Sequence, residues 1–394
     1  MFCRMYRGLV LLLCLGTVWG GVIDLGTIRR EAERDILNIY VQSGDKQIST
    51  YAEHALALHG GFRMTAKDEA VFTFVLKAEG SGCSLEIRSG YPERAQFQKT
   101  FDGPLSVSTL EALDCCVEKT LGLPGFFTGK VVFSSKQSGF AELYVADLLF
   151  SSVKQLTHDR SDSIFPHWFP NGQKLIYTTY FHKGFPDLYT IDLRTRERRP
   201  FAAHQGSNTG GTPSPNGQNV AMILSATGNS ELFVKNISAP QLRRLTKDSA
   251  VKASPSWSPD GTRLLFVSDR TGLPQIYEIQ ALRGPAKRIP TNISRHCTEP
   301  DWNPRDPNLF LFTAVVDNHF QIALYDFNTR QSRILTQANA DSIEGSWIND
   351  GRHILFTRRT PAKRSLYVID SVTGRESPLS PAEMKDAAQG HFHK

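Results

Sequence analysis

From residue 130 onward, apolar and polar positions alternate in short runs six times over. KVVFSS, KLIYTT, NVAMIL, RLLFVS, LFLFTA and HILFTR each read as a half-buried strand. A second run follows each one: ELYVAD (142–147), DLYTID (187–192), ELFVKN (231–236), QIYEIQ (275–280), QIALYD (321–326) and SLYVID (365–370). Some nine residues later comes a shorter strand ending near Leu-Thr, as at Thr157, Thr246 and Thr336. A turn signature separates the units: PHWFPNG from Pro166, GTPSPNG from Gly211, PSWSPDG from Pro255, PDWNPRD from Pro300 and GSWINDG from Gly345. Its register positions are Trp168, Pro213, Trp257, Trp302 and Trp347, spaced by 45, 44, 45 and 45 residues. Pro presets φ, Asn or Asp bonds its own backbone, and Gly accepts the positive φ that follows. A Trp two residues before the turn can fill the gap between neighbouring sheets, burying ~150–250 Å². Four short strands per repeat, arranged radially, make a β-propeller blade.

Six second runs but only five turn signatures leave the first module, 130–157, without an innermost strand. One period beyond Trp347 lies Phe392, and Gly390-His391-Phe392 aligns with Gly345-Ser346-Trp347. The last residues are therefore expected to supply that strand and close the ring, which removes the free edges of an open array. A frayed tail is the alternative. In the closed ring His391 and His393 are strand residues rather than a metal pair.

Residues 22–125 lack the repeat. YAEHALALH (51–59) has helical spacing and stops at Gly60-Gly61. Residues 69–78 and 83–89 read as a hairpin through Gly80-Ser81-Gly82. Residues 108–121 read as an amphipathic helix capped by Ser or Thr, with Leu110, Leu113, Val117 and Leu121 on one face and Gly122 at its end. A small α/β domain is expected, and LGLPGFFTGK (121–130) leads into the propeller. Residues 1–21 combine Arg4 and Arg7 with an apolar run over 9–15 and small residues near Gly20, the layout of a cleaved secretory signal peptide. The apolar run is too short to span a membrane as an anchor. The expected fold class is thus multidomain: signal peptide (1–21), small α/β domain (22–125), and a six-bladed all-β propeller (126–394) closed by its C-terminal strand.

Composition changes this picture little. The net charge is +6, and loss of Arg4 and Arg7 takes it to +4. No run of five basic residues occurs, so nucleic acid is not an expected partner. Cleavage would leave Cys83, Cys115, Cys116 and Cys297. A disulfide between Cys83 and the Cys115–Cys116 pair and free buried thiols both remain open. No Cys/His spacing suggests a metal site, and no cofactor is expected.

PSWSPDG followed by RLLFVSDRTGLPQIYEI resembles the repeat of the TolB family, periplasmic components of the Tol-Pal system. The resemblance runs from the leader through the LGLPGFFTGKVVFSS junction to the sixth blade. Three places depart from the family pattern: Pro213 stands for Trp, Phe392 replaces the closing PxWSP, and 22–34 matches the TolA-binding stretch only loosely. The resemblance implies a monomeric adaptor, peripheral to the membrane through its partners Pal and TolA, with outer-membrane proteins as a further partner class. It implies a role in outer-membrane integrity and constriction at division.

No GxSxG, HExxH, Walker-type loop or GxGxxG occurs, and there is no room for a separate hydrolase domain, so catalysis is not expected. By repeat register, the loops entering the innermost strands open at one mouth of the propeller. The resemblance implies that this face binds Pal, which selects Ser163, Ile164, Phe165, Asn208, Thr209, Gly210, Lys252, Ala253, Thr298, Glu299, Ile343 and Glu344. It likewise assigns Val22, Ile23, Asp24 and Leu25 to TolA. The rival function is an exported propeller that binds a small ligand or glycan fragment, which an aromatic and carboxylate lining of the channel would favour.

Overall fold

The computed structural model describes residues 36–182 and 185–394. The N-terminal region contributes β1 (Leu37–Gln42), α1 (Lys46–Leu58), β2 (Phe62–Met64), β3 (Phe72–Glu79), β4 (Gly82–Ser89), β5 (Arg94–Phe101) and α2 (Leu105–Leu121). Its single sheet has the order β2-β1-β3-β4-β5, with β1 parallel to β2 and β3 and the other pairs antiparallel. Ile48, Ala52 and Leu56 of α1, and Leu113, Cys116 and Val117 of α2, share one core with Phe74, Leu76, Leu85 and Ile87.

Both helices begin earlier than the sequence predicts. Asp45 caps α1, its side chain accepting the N–H groups of Gln47 and Ile48, so the polar first turn is helical despite its lack of apolar spacing. The expected Ser/Thr cap of α2 is not used. Pro104 precedes the helix without a side-chain cap, and the Ser108 hydroxyl turns back to the Pro104 carbonyl. Gly122 ends α2 in the left-handed conformation. Cys83, Cys115, Cys116 and Cys297 are buried free thiols whose pKa values burial pushes up.

The remaining chain forms six four-stranded sheets. Blade 1 joins both ends of the propeller: Ala388–His393 pairs with β6 (Lys130–Ser135), followed by β7 (Glu142–Asp147) and β8 (Val153–Gln155). The register sets Phe392 opposite Val131 and His393 opposite Lys130, so the ring closes as the period requires. Blades 2 to 6 have innermost strands Ser163–Trp168, Asn208–Pro213, Lys252–Trp257, Cys297–Trp302 and Asp341–Trp347.

The turn signature does what its residue types suggest. Asn171, Asn216, Asp260 and Asp350 each accept the N–H two residues on. The Gly that follows sits at φ 64° in Gly172, 68° in Gly217, 69° in Gly261 and 71° in Gly351. Each register Trp is buried at a blade seam. The indole N–H groups of Trp168, Trp257 and Trp347 donate to carbonyls of His391, Thr212 and Asp301 on the preceding blade. Trp302 instead bonds Pro307 in its own turn. Phe392 fills the equivalent space without a donor, packed against Phe126 and Gly129. The Leu-Thr signature has a local cause too. The hydroxyls of Thr157, Thr246 and Thr336 accept the N–H of Leu143, Leu232 and Ile322, and donate to Glu142, Glu231 and Gln321.

Candidate functional site

Every innermost strand breaks register once against its neighbour. At the break one residue takes the left-handed conformation: Phe165 (φ 51°), Gly210 (64°), Ser254 (47°), Glu299 (52°), Glu344 (55°) and Gln389 (57°). The next residue is always Pro or Gly, at 166, 211, 255, 300, 345 and 390. Pro lacks the N–H that the broken ladder would leave unpaired. Gly is used where a Cβ would strike the neighbouring blade, as at Gly390, where it would come within 2.6 Å of Leu355. Five non-glycine residues held at positive φ cost on the order of 1 kcal/mol or more each. The bulge turns the alternate side chains inward, so the channel carries two stacked rings. The outer ring is the six residues named above. The inner ring is His167, Thr212, Ser256, Asp301, Ser346 and His391, and together they line a cavity of about 350 Å³.

Four of the six outer-ring residues are tied into a relay. The Glu344 N–H donates to Glu299 Oε2 at 2.7 Å, and the Gln389 N–H to Glu344 Oε2 at 3.2 Å. The Phe165 N–H then donates to Gln389 Oε1 at 3.1 Å, which carries the relay across the closure seam. In the inner ring the Trp347 N–H donates to Asp301 Oδ2 and the Ser256 hydroxyl to Asp301 Oδ1, at 2.9 and 3.1 Å.

The two halves of the channel differ in charge. Burial, and then the neighbouring Glu344 charge, raise the Glu299 pKa to about 7. Burial alone raises Asp301 to about 6. Across the channel, burial lowers His167 to about 4 and holds His391 well below the usual imidazole range, helped by His167. Those two neutral rings lie 4.7 Å apart, and Nδ1 of each is buried without a protein partner.

Of the twelve mouth residues selected from the sequence, Ile164, Phe165, Thr209, Gly210, Ala253, Glu299 and Glu344 line this channel. Thr298 and Ile343 line an adjoining cleft of about 320 Å³ that also reaches Glu299 and Glu344. The other three point into the blades. Ser163 bonds Thr179, Asn208 holds the His204 and Gly206 carbonyls, and Lys252 pairs with Glu231 and Asp248. All three are buried, and the segments read as entry loops are the first strand residues themselves. The sequence reading missed His167, Asp301, Gln389 and His391. The period itself carries the signal for them, since Gln389 lies 45 residues after Glu344 and Asp301 lies 45 after Ser256. Residues 1–21 and Val22, Ile23, Asp24 and Leu25 lie outside the described residues.

The N-terminal region packs on the opposite face, that of the Asx-Gly turns, against blades 6 and 1. The Gly60 N–H donates to His353 Nε2 at 3.2 Å, and Arg375 and Ser377 donate to the Phe62 and Ala57 carbonyls. His59, Asp350 and His353 offer donor atoms within 4.8 Å of one another. Most of these atoms are already engaged: Gly61 N–H donates to His59 Nδ1, Gly60 N–H to His353 Nε2, and His353 Nδ1 lies 2.6 Å from Asp350, while His59 Nε2 is buried without a hydrogen-bond partner. The trio fits an interdomain seam better than a metal centre.

Known proteins share this architecture. A chain titled TolB from Acinetobacter baumannii superposes with a TM-score of 0.81, covering 91% of this chain and 96% of its own at 20% identity, which establishes the fold. A Chlorobium luteolum protein named Protein TolB homolog is 32% identical over 198 residues, 49% of this chain and 44% of its own. The Tol-Pal system protein TolB of Bordetella pertussis is 30% identical over 166 residues, 42% of this chain and 38% of its own. The chain thus spans less than half the length of these curated relatives. The family model described as TolB beta propeller domain matches residues 117–392, which takes in all six blades and the closing strand. With the repeat, the ring closure and the N-terminal α/β region agreeing with that match, the chain belongs to the TolB β-propeller family.

Proposed function

We propose that this chain is a non-catalytic component of the Tol-Pal system in the periplasm, docking the Pal lipoprotein at its propeller mouth. In this reading the N-terminal tail, with Val22, Ile23, Asp24 and Leu25, engages TolA, and the adaptor supports envelope integrity and constriction at division. The observation that carries the reading is that the open mouth of the channel and the N-terminal region lie on opposite faces of the propeller. The channel opens at exposed Phe165 on one face, and the N-terminal region packs against blades 6 and 1 on the other. The ring carboxylates are occupied in holding neighbouring strands, a role suited to a rigid docking platform. No helix among the described residues is long and apolar enough to cross a membrane.

Calorimetric titration of the mature protein with the soluble domain of Pal from the same genome tests this. Saturable one-to-one binding is expected, weakened about tenfold or more in Phe165→Ala if that aromatic anchors the interface. Absence of heat and of a complex by sizing would refute the docking reading. One observation favours a second reading: Phe165, Tyr180, Glu299, Asp301 and Glu344 all line the channel, the lining expected of a small-ligand site. Binding of a small ligand or glycan fragment by the wild type, lost on blocking the channel, would favour that alternative.

A further inference from the structure

The mouth face carries a second cavity, of about 290 Å³, between the hairpins of blades 6 and 1. Ile164 and Gln389 line both this cleft and the channel, so the two are continuous. The middle strands of blade 6, His353–Arg359 and Arg364–Asp370, have seven residues each where those of blade 2 have six. The hairpin tip therefore projects and forms a wall, with Lys136 of blade 1 opposite.

This wall is strongly basic. Arg359 is already committed, its Nε and Nη2 donating to Asp341 Oδ2 at 2.9 and 2.7 Å. Lys363 reaches only the Ala382 carbonyl, at 3.3 Å. The side chains of Lys136 and Arg364 have no acceptor among the described residues. Asp386 is the one carboxylate in the lining, and its Oδ1 is taken by the Arg364 backbone N–H at 3.0 Å. Arg364 is half-buried and also lines the adjoining cleft that reaches Glu299 and Glu344. A partly desolvated guanidinium with no partner is a planar fork matched to a carboxylate.

Resting on the docking reading above, we propose that this cleft is a carboxylate-reading subsite: an Asp or Glu side chain of the protein segment docked over the mouth pairs with Arg364. Lys363 and Lys136 add favourable field and steer the approach. The cleft admits a carboxylate side chain, and Glu299 and Glu344, which share the adjoining cleft with Arg364, weigh more heavily against a multiply charged phosphate than against a single carboxylate.

The test titrates the soluble Pal domain into the wild type, Arg364→Glu, Arg364→Gln, Lys363→Glu and, as a control on an exposed outer strand of blade 4, Lys287→Glu. Each is run at about 50 and about 250 mM salt, so that screening reports the charge contribution. Unchanged thermal melting is expected for every variant, because none of these side chains holds a buried group. Arg364→Glu should bind about tenfold or more weakly, Arg364→Gln less so, and both with a smaller salt dependence than wild type. Lys287→Glu should match wild type. Wild-type binding with Arg364→Glu and Lys363→Glu within about twofold of it overturns the subsite and leaves the docking reading intact. No wild-type binding overturns both. Arg364-dependent binding to phosphatidylglycerol vesicles, with Pal binding unchanged, assigns the cleft to lipid and likewise overturns the proposal.

Discussion

Glu299 offers a sharp test of the channel electrostatics. The residue is held in the left-handed conformation inside the ring, and its Oε2 accepts both the Glu344 N–H at 2.7 Å and the Thr313 hydroxyl at 2.8 Å. Both bonds fall on one oxygen, so Glu299→Gln can keep them through its amide carbonyl. What the substitution removes is the ionisable proton. Burial and the Glu344 charge raise the folded pKa to about 7, against 4.5 for a free carboxyl, an interval worth about 3 kcal/mol. The sign follows from which state binds the proton more tightly. Below pH 4.5 the carboxyl is protonated in both folded and unfolded chains, and its ionisation costs nothing. Between pH 4.5 and 7 the unfolded chain ionises first, so stability falls as pH rises. Above pH 7 the folded protein carries the whole cost. Glu299→Gln should therefore stabilise by less than about 1 kcal/mol at pH 5 and by up to about 3 kcal/mol at pH 8. Urea unfolding of wild type and variant at the two pH values measures the difference. An equal effect at both would refute the argument that ionisation of this carboxyl opposes folding.

Two further outcomes follow from the packing. Phe392→Ala empties the last blade seam against Phe126 and Gly129 and should cost about 3–5 kcal/mol in chemical denaturation; a loss below about 1 kcal/mol would mean that the closing strand is not structural. Thr246→Val strands the Leu232 N–H and removes the hydroxyl donated to buried Glu231, a cost of about 1–3 kcal/mol that Thr246→Ser should largely restore in the same assay.

The propeller was legible because its signals are local. Pro, Asx and Gly act within four residues of one another, and the alternation of KVVFSS or RLLFVS acts within six, so the period survives any uncertainty about distant contacts. Closure was legible for the same reason, one period beyond Trp347. The ring chemistry was harder to see. Its six positions share a backbone conformation but not a residue type, and the bulge that aims them inward leaves only a Pro or Gly behind it. Glu299 and Glu344 were found by register, whereas Asp301, two residues beyond Glu299, and His391, two beyond Gln389, were not. Lys252 illustrates the opposite error: its position marked it for the mouth, but Glu231 and Asp248 draw its ammonium into the blade. The N-terminal sheet was only half visible, because β5 is an edge strand whose exposed Arg94, Gln96, Gln98, Lys99 and Thr100 mask its one packed side. Gly60 and His353 meet across 293 residues, and no local pattern could reveal that seam.

The closing strand also links the two ends of the molecule. Gln389, near its start, sits in the outer ring, where it accepts the Phe165 N–H and donates to Glu344. Phe392 lies at the far end against Phe126, between α2 and the first blade. Two residues on, Lys394 Nζ donates to Asp114 Oδ2 at 2.7 Å and to the Gly125 carbonyl at 2.6 Å. Asp114 in turn accepts the N–H groups of Phe127 and Thr128, the segment that leads from α2 into the first blade. Six residues of one strand therefore touch both the channel mouth and the junction of the two regions. The backbone symmetry of the propeller would make any blade equivalent for this purpose, and the chain termini break that symmetry. Blade 1 is built from both ends of the propeller, and the neighbouring blade 6 adds a second such strand, His353–Arg359, whose first residue accepts the Gly60 N–H and whose last lines the mouth-face cleft.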